Sequence, residues 1–115
     1  MLEKIGLGID IVDINKFKKI TYQSNKSFYD KIFTPSEIKY CLKFSTPHIH
    51  FSGKFAIKEA VIKSIKKQIL LIDIETDHSN SKPIVKIRNY PNYFFIVTLS
   101  HDKNYAIAVV LSEKS

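Results

Sequence analysis

Hydrophobic positions change their spacing partway along this chain, from helical to alternating. The first segment, Lys4 to Val12, is nearly continuous in apolar residues and contains Gly6 and Gly8. It predicts a buried strand that another backbone approaches closely. Asp10 interrupts it. Asp13 then stands where it caps a helix with Ile14, Phe17 and Ile20 inward and Lys16, Lys18 and Lys19 on the exposed side. Beyond a break at Ser24 to Ser27, Phe28 to Phe33 reads as a short helical turn. Thr34, Pro35 and Glu37 form a capping box with proline at the first helical position, opening a helix through about Lys43. From about Pro47 to Lys67, Ile49, Phe51, Phe55, Ala56, Val61, Ile62 and Ile65 recur at a period of about 3.6 residues. That spacing predicts a long helix packed by one stripe and ending in the basic pair Lys66-Lys67.

Past Gln68 the pattern becomes strand-like. Leu70 to Glu75 and Pro83 to Arg88 are expected as strands around a loop at Asp77 to Lys82. Tyr93 to Ser100 and Tyr105 to Leu111 are expected as a final pair around the four-residue hairpin loop His101 to Asn104. The expected class is α+β: an N-terminal strand and helices, including one long helix, packed on one face of an antiparallel sheet. With 115 residues, 44% of them hydrophobic, and no linker or low-complexity run, the chain reads as one domain over residues 1–115. A domain this small gains core by sharing a subunit interface. The single cysteine, Cys41, excludes an intrachain disulfide and fits a buried helical position. No apolar run approaches the length of a membrane span and the N-terminus is unlike a signal peptide, so a cytoplasmic protein is expected. The net charge of +7 favours a polyanionic partner: nucleic acid, an anionic membrane, a phosphorylated small molecule or an acidic protein.

Two carboxylates carry the candidate chemistry. Asp10 sits inside an apolar strand, where an ionised group calls for a cation, although a turn cap at the strand end explains it equally well. Glu59 forms an i,i+4 pair with Lys63, a common surface arrangement, but shares its flank with Phe55 and Ile62 and so lies at the packed edge of the helix. A hard divalent cation held against phosphate oxygens needs such a carboxylate pair flanked by lysines. His48 and His50 leave two readings open, a phosphate contact or a packing and capping role, of which the second is favoured. Ser100-His101-Asp102 is no catalytic triad, since three consecutive side chains do not converge on one atom.

Four motifs stand in order: Gly8-Ile9-Asp10-Ile11, Phe33-Thr34-Pro35-Ser36-Glu37, Phe55-Ala56-Ile57-Lys58-Glu59-Ala60 and Leu99-Ser100-His101-Asp102. Together they cover nearly the whole chain, which resembles the holo-acyl-carrier-protein synthases, the short class of 4′-phosphopantetheinyl transferases. The resemblance implies their fold and a Mg²⁺-dependent transfer of 4′-phosphopantetheine from coenzyme A to a serine of apo acyl carrier protein, releasing 3′,5′-ADP, for fatty acid biosynthesis. It implies Asp10 and Glu59 as magnesium ligands and Lys63 as a donor to the pyrophosphate. Lys54, Lys58, Ser100 and His101 become coenzyme contacts, and Lys16, Lys18 and Lys19 a docking surface for the acidic carrier. Either Glu59 or a metal-bound water takes the serine proton. A homotrimer with active sites between subunits is implied, with neither nucleic acid nor membrane as partner.

The chain departs from the family pattern in places. Lys54 and Lys16 replace arginines, keeping charge but losing the bidentate fork. Val12 stands where longer relatives have a third acidic ligand, leaving that place to water, and Ser64 to Ile69 has no glycine where the family has a glycine-containing loop. Two rival readings follow: a small basic RNA-binding module, whose aromatic strand Tyr90 to Phe95 lacks the RNA-recognition signature, and a catalytically idle homologue that only binds acyl carrier protein.

Overall fold

The computed structural model describes residues 2–115. After a 3₁₀ turn at Leu2–Lys4 the order is β1 (Ile5–Asp13), α1 (Asn15–Lys19), α2 (Lys26–Asp30), α3 (Pro35–Leu42), α4 (Pro47–Ser64), β2 (Ile74–Ser79), β3 (Lys82–Ile87), β4 (Tyr93–His101) and β5 (Tyr105–Lys114). The α+β expectation holds. The strands form two antiparallel sheets, one ordered β1-β5-β4 and one the β2-β3 hairpin. The N-terminal strand thus pairs with the C-terminal one, Asp10 opposite Ala108 and Val12 opposite Ala106.

Local chemistry explains most boundaries. Asp13 Oδ1 accepts from Asn15 N–H at 2.9 Å, turning the chain from β1 into α1. Thr34 Oγ1 accepts from Glu37 N–H while Glu37 Oε1 accepts from Thr34 N–H, completing the capping box of α3. Asn80 and Ser81 both have left-handed backbones, φ 53° and 66°, the conformation of the tight turn that closes β2 on β3. In the β4-β5 turn Asp102 Oδ1 accepts from Asn104 and Tyr105 N–H, both at 2.7 Å.

Four expectations are corrected. The long helix stops at Ser64, because the Ser64 carbonyl accepts from Ser112 Oγ on β5 and Ile65 is extended, so Lys66-Lys67 lies beyond it. That helix is buried around most of its circumference, not along one stripe: Phe51, Ser52, Lys54, Ala56, Ile57, Lys58, Ala60 and Val61 are all enclosed. Leu71–Asp73 is a 3₁₀ turn, so the strand expected from Leu70 begins at Ile74. Last, β1 is buried on one face alone. Gly8 and Val12 turn inward, while Leu7, Ile9 and Ile11 are 69%, 60% and 60% exposed.

These residues continue sideways across the sheet. Leu7 pairs with Leu111, Ile9 with Val109 and Ile11 with Ile107, and Ile96 on β4 flanks Leu111 at 73% exposure. The outer face of the main sheet is a contiguous apolar surface. Its inner face packs on α4, and a cluster of Phe17, Tyr29, Phe33 and Phe51 fills the end under α1 and α2, with Tyr29 and Phe51 ring centroids 4.8 Å apart. The buried Tyr29 hydroxyl donates to the Ile20 carbonyl, and burial pushes its pKa up to about 12. Cys41 is enclosed too, its thiol likewise pushed up to about 12 by burial, which makes it inert packing. Among the described residues no helix is long and apolar enough to cross a membrane.

Candidate active site

Backbone contact between β1 and α4 sets the site. A Cβ on Gly8 would lie 1.9 Å from the Ala60 carbonyl oxygen, and one on Gly6 would lie 1.7 Å from that of Ser64, so only glycine admits the helix this close. The helix runs antiparallel to the strand. Two strand residues and one helical turn advance by nearly the same length, so Asp10 comes level with the turn before Ala60. There Lys63 Nζ donates to Asp10 Oδ1 and to the Ile9 carbonyl, both at 3.0 Å. Glu59, one turn before Lys63, shares that flank with Phe55, and Lys16 Nζ lies over the Phe55 ring at 4.7 Å.

The structure therefore sets Asp10 against Lys63 where β1 meets α4, with Glu59 one turn earlier on the same helix and Lys16 over the ring of Phe55. Lys16, Lys18 and Lys19 are all exposed on α1, and Lys16 reaches the Phe55 ring of α4. The donor set suits a hard cation. An ammonium already sits between a carboxylate and a backbone carbonyl, both oxygen ligands, and Glu59 lies one turn before that lysine on α4. Among the described residues no group of three or more His, Cys, Asp and Glu side chains gathers, and two carboxylates match what Mg²⁺ takes when phosphate and water complete its shell.

Lys58 is a correction. Read from the sequence as a coenzyme contact, it is fully enclosed, and its three donors are spent on Ile32 O (2.7 Å), Glu37 Oε1 (2.7 Å) and Leu71 O (3.1 Å). Glu37 Oε2 in turn accepts from Thr76 N–H at 2.8 Å and from Thr76 Oγ1 at 2.6 Å. Burial opposes ionisation of Glu37, but the Lys58 ammonium and the hydrogen bonds from Lys58, Thr76 and Thr34 outweigh it and hold the carboxyl below the usual value. The capping box named Glu37 without its second role. The missed signal was a lysine at an inward position of α4, which demands a buried counter-ion.

Lys54 and His101 lie together on a separate cavity of about 520 Å³, which Tyr40, His50, Gly53, His78 and Leu99 also line. His101 ends β4 and is not part of the loop, since the turn proper spans Asp102 to Asn104. Ser100 belongs to the alternate set with Phe94, Ile96 and Thr98, so it faces the outer apolar surface, opposite Leu99 and His101. His50 stacks on Phe44 at 3.7 Å and His78 on Tyr40 at 4.9 Å. Burial first, then the neighbouring His101, His78 and Lys54, hold His50 below the ordinary imidazole value. Burial with Lys54 does the same to His78. The cavity wall thus carries one ammonium, Lys54, and three imidazoles as hydrogen-bonding groups, with the carboxylate of Asp77 also on it.

The model of the 4′-phosphopantetheinyl transferase superfamily matches residues 6–110. The chain is 42% identical over 109 residues to a holo-[acyl-carrier-protein] synthase of Thermodesulfovibrio yellowstonii, covering 92% of this chain and 96% of that one. It is 37% identical over 123 residues to that of Syntrophus aciditrophicus, covering 94% of each. Among solved structures it resembles the Bacillus anthracis holo-(acyl-carrier-protein) synthase in complex with CoA (3′,5′-ADP), with a TM-score of 0.79, 30% identity and 96% of each chain covered. The Helicobacter pylori protein in complex with coenzyme A gives a TM-score of 0.77 and 32% identity over 93% of this chain and 99% of that one.

Proposed function

Because the chain belongs to the 4′-phosphopantetheinyl transferase superfamily, among the holo-acyl-carrier-protein synthases, we propose that it moves 4′-phosphopantetheine from coenzyme A to a serine hydroxyl of apo acyl carrier protein at a site formed by Asp10, Glu59 and Lys63. The observation that carries this site is the Gly6–Gly8 contact with α4, which brings the Asp10 carboxylate of the strand against Lys63 of the helix. Asp10, Glu59 and the Ile9 carbonyl would hold Mg²⁺, which when bound supplies neutralising charge to the pyrophosphate. Lys63, exposed enough to swing from Asp10, donates to phosphate oxygens as negative charge grows on them. The serine oxygen attacks the β-phosphorus in line, the bond to the bridging oxygen breaks, and 3′,5′-ADP leaves with the electron pair. Glu59 is the chain's own acceptor for the serine proton.

The cavity supports binding of the anionic nucleotide end of coenzyme A by Lys54 and His101. Lys18 and Lys19 offer an acidic carrier an exposed basic surface, and its product would serve fatty acid biosynthesis in the cytoplasm. The direct test is to incubate the protein with coenzyme A, magnesium and apo carrier protein and weigh the carrier. A mass gain of one phosphopantetheine is expected. No gain, from folded protein with magnesium present, refutes the reading.

A homotrimer is part of the proposal. The apolar outer face of Leu7, Ile9, Ile11, Ile96, Val109 and Leu111 supports it, being far more apolar than a strand face bathed in water. Ser100 on that face would then meet a neighbouring copy. Light scattering should give a trimer, and Ile9→Asp should give monomers with little activity. A stable wild-type monomer at full activity sinks the shared-site idea.

A further inference from the structure

One hydroxyl links the buried ion pair to the cavity. Glu37 Oε2 is a carboxylate oxygen and only accepts, so the single hydroxyl proton of Thr76, 2.6 Å away, is committed to it. That leaves the Thr76 oxygen as an acceptor, and Lys54 Nζ donates to it at 2.9 Å. The polarity of the chain is therefore fixed: Lys54 N–H to Thr76 O–H to Glu37, whose other oxygen is held by Lys58. Lys54 is 5% exposed, its ammonium stands over the Tyr40 ring at 4.8 Å, and both it and Thr76 line the cavity. A lysine normally arrives at an anion from many rotamers. This one is pinned by a threonine that is itself pinned through backbone and side chain to Glu37. Arginine would bring a rigid fork to such a place, and here a tether restores direction to a flexible side chain.

We propose that Thr76 is a positioning residue that holds the Lys54 ammonium against the cavity, ready for an anionic group of coenzyme A. This rests on the reading above that the cavity takes the nucleotide end of the coenzyme. Thr76→Val keeps the side-chain shape and the backbone bond to Glu37 but removes the hydroxyl. It should raise the KM for coenzyme A about tenfold, the scale of one charged hydrogen bond misplaced, and lower kcat less than about twofold. Thr76→Ser should return the KM to near wild type. Thr76→Ala, free of any clash, serves the same comparison if the valine variant does not fold. Lys54→Met, run alongside, separates the two ideas. If Lys54→Met leaves the coenzyme KM unchanged, the cavity reading fails. If it raises the KM while folded Thr76→Val and Thr76→Ala bind coenzyme A like the wild type, or if the serine variant fails to rescue, Thr76 is only a stabilising residue and the inference is overturned.

Discussion

Asp10→Asn and Glu59→Gln should each lower the transfer rate by about 10²–10³-fold, the scale on which removing one preorganised electrostatic group slows a reaction. Each change leaves volume and hydrogen-bonding capacity nearly intact and takes away one negative charge. Stability should hardly move. The Asp10–Lys63 pair is half in solvent, the lysine side chain being 53% exposed, and such pairs contribute at most about 1 kcal/mol. The two variants should also need more magnesium to reach their residual rate, which a titration at saturating coenzyme A would show. A folded Asp10→Asn protein turning over like the wild type would mean that the Asp10–Lys63 site is not where the reaction happens.

The buried pair behaves in the opposite way. Lys58→Met leaves Glu37 without its counter-ion in a fully enclosed position and should cost about 3–5 kcal/mol of stability, measured by urea unfolding. The double variant Glu37→Met with Lys58→Met should regain much of that loss. Acid separates this pair from ordinary packing. The Glu37 carboxyl is held below its unfolded value, chiefly because Lys58 and the hydrogen bonds from Lys58, Thr76 and Thr34 prevail over burial. Its contribution is therefore complete above the ordinary glutamate range and lost as the pH falls through the lower folded-state value. Lys58→Met should flatten that acid limb. If the variant proves as stable as the wild type and equally acid-sensitive, the pair does not hold the fold together.

Much of this was legible in the residues. The Thr34–Glu37 capping box is satisfied by neighbours in sequence, while the glycine pair of β1 and the alternation of β4 and β5 are visible within their own strands although their partners lie elsewhere, and each reappears in the structure. What escaped was set by distant partners. Nothing within β1 tells a strand with both faces buried from one whose odd positions stay bare until another surface covers them, since both read as continuous hydrophobes. Lys58 follows Lys54 at helical spacing, and whether such a lysine reaches phosphate or a buried carboxylate depends on Glu37, brought in from α3. Asp10 and Glu59 were separable from surface residues only through the motifs around them, because each has a bland local explanation.

The pairing of the first strand with the last also bears on how the protein is made. In the main sheet β1 lies at an edge with one neighbour, β5, which ends at Lys114. A chain emerging from the ribosome N-terminus first presents Asp10 early and the strand that fixes it last. Once α4 has been made, the nine residues of β1 have that helix to lean on, but they have no ladder to join until β5 follows some forty residues later. The site is therefore completed only when β5 has been made, and a product cut short before β5 would carry every proposed ligand and phosphate donor of that site yet leave Asp10 on a strand with no ladder partner.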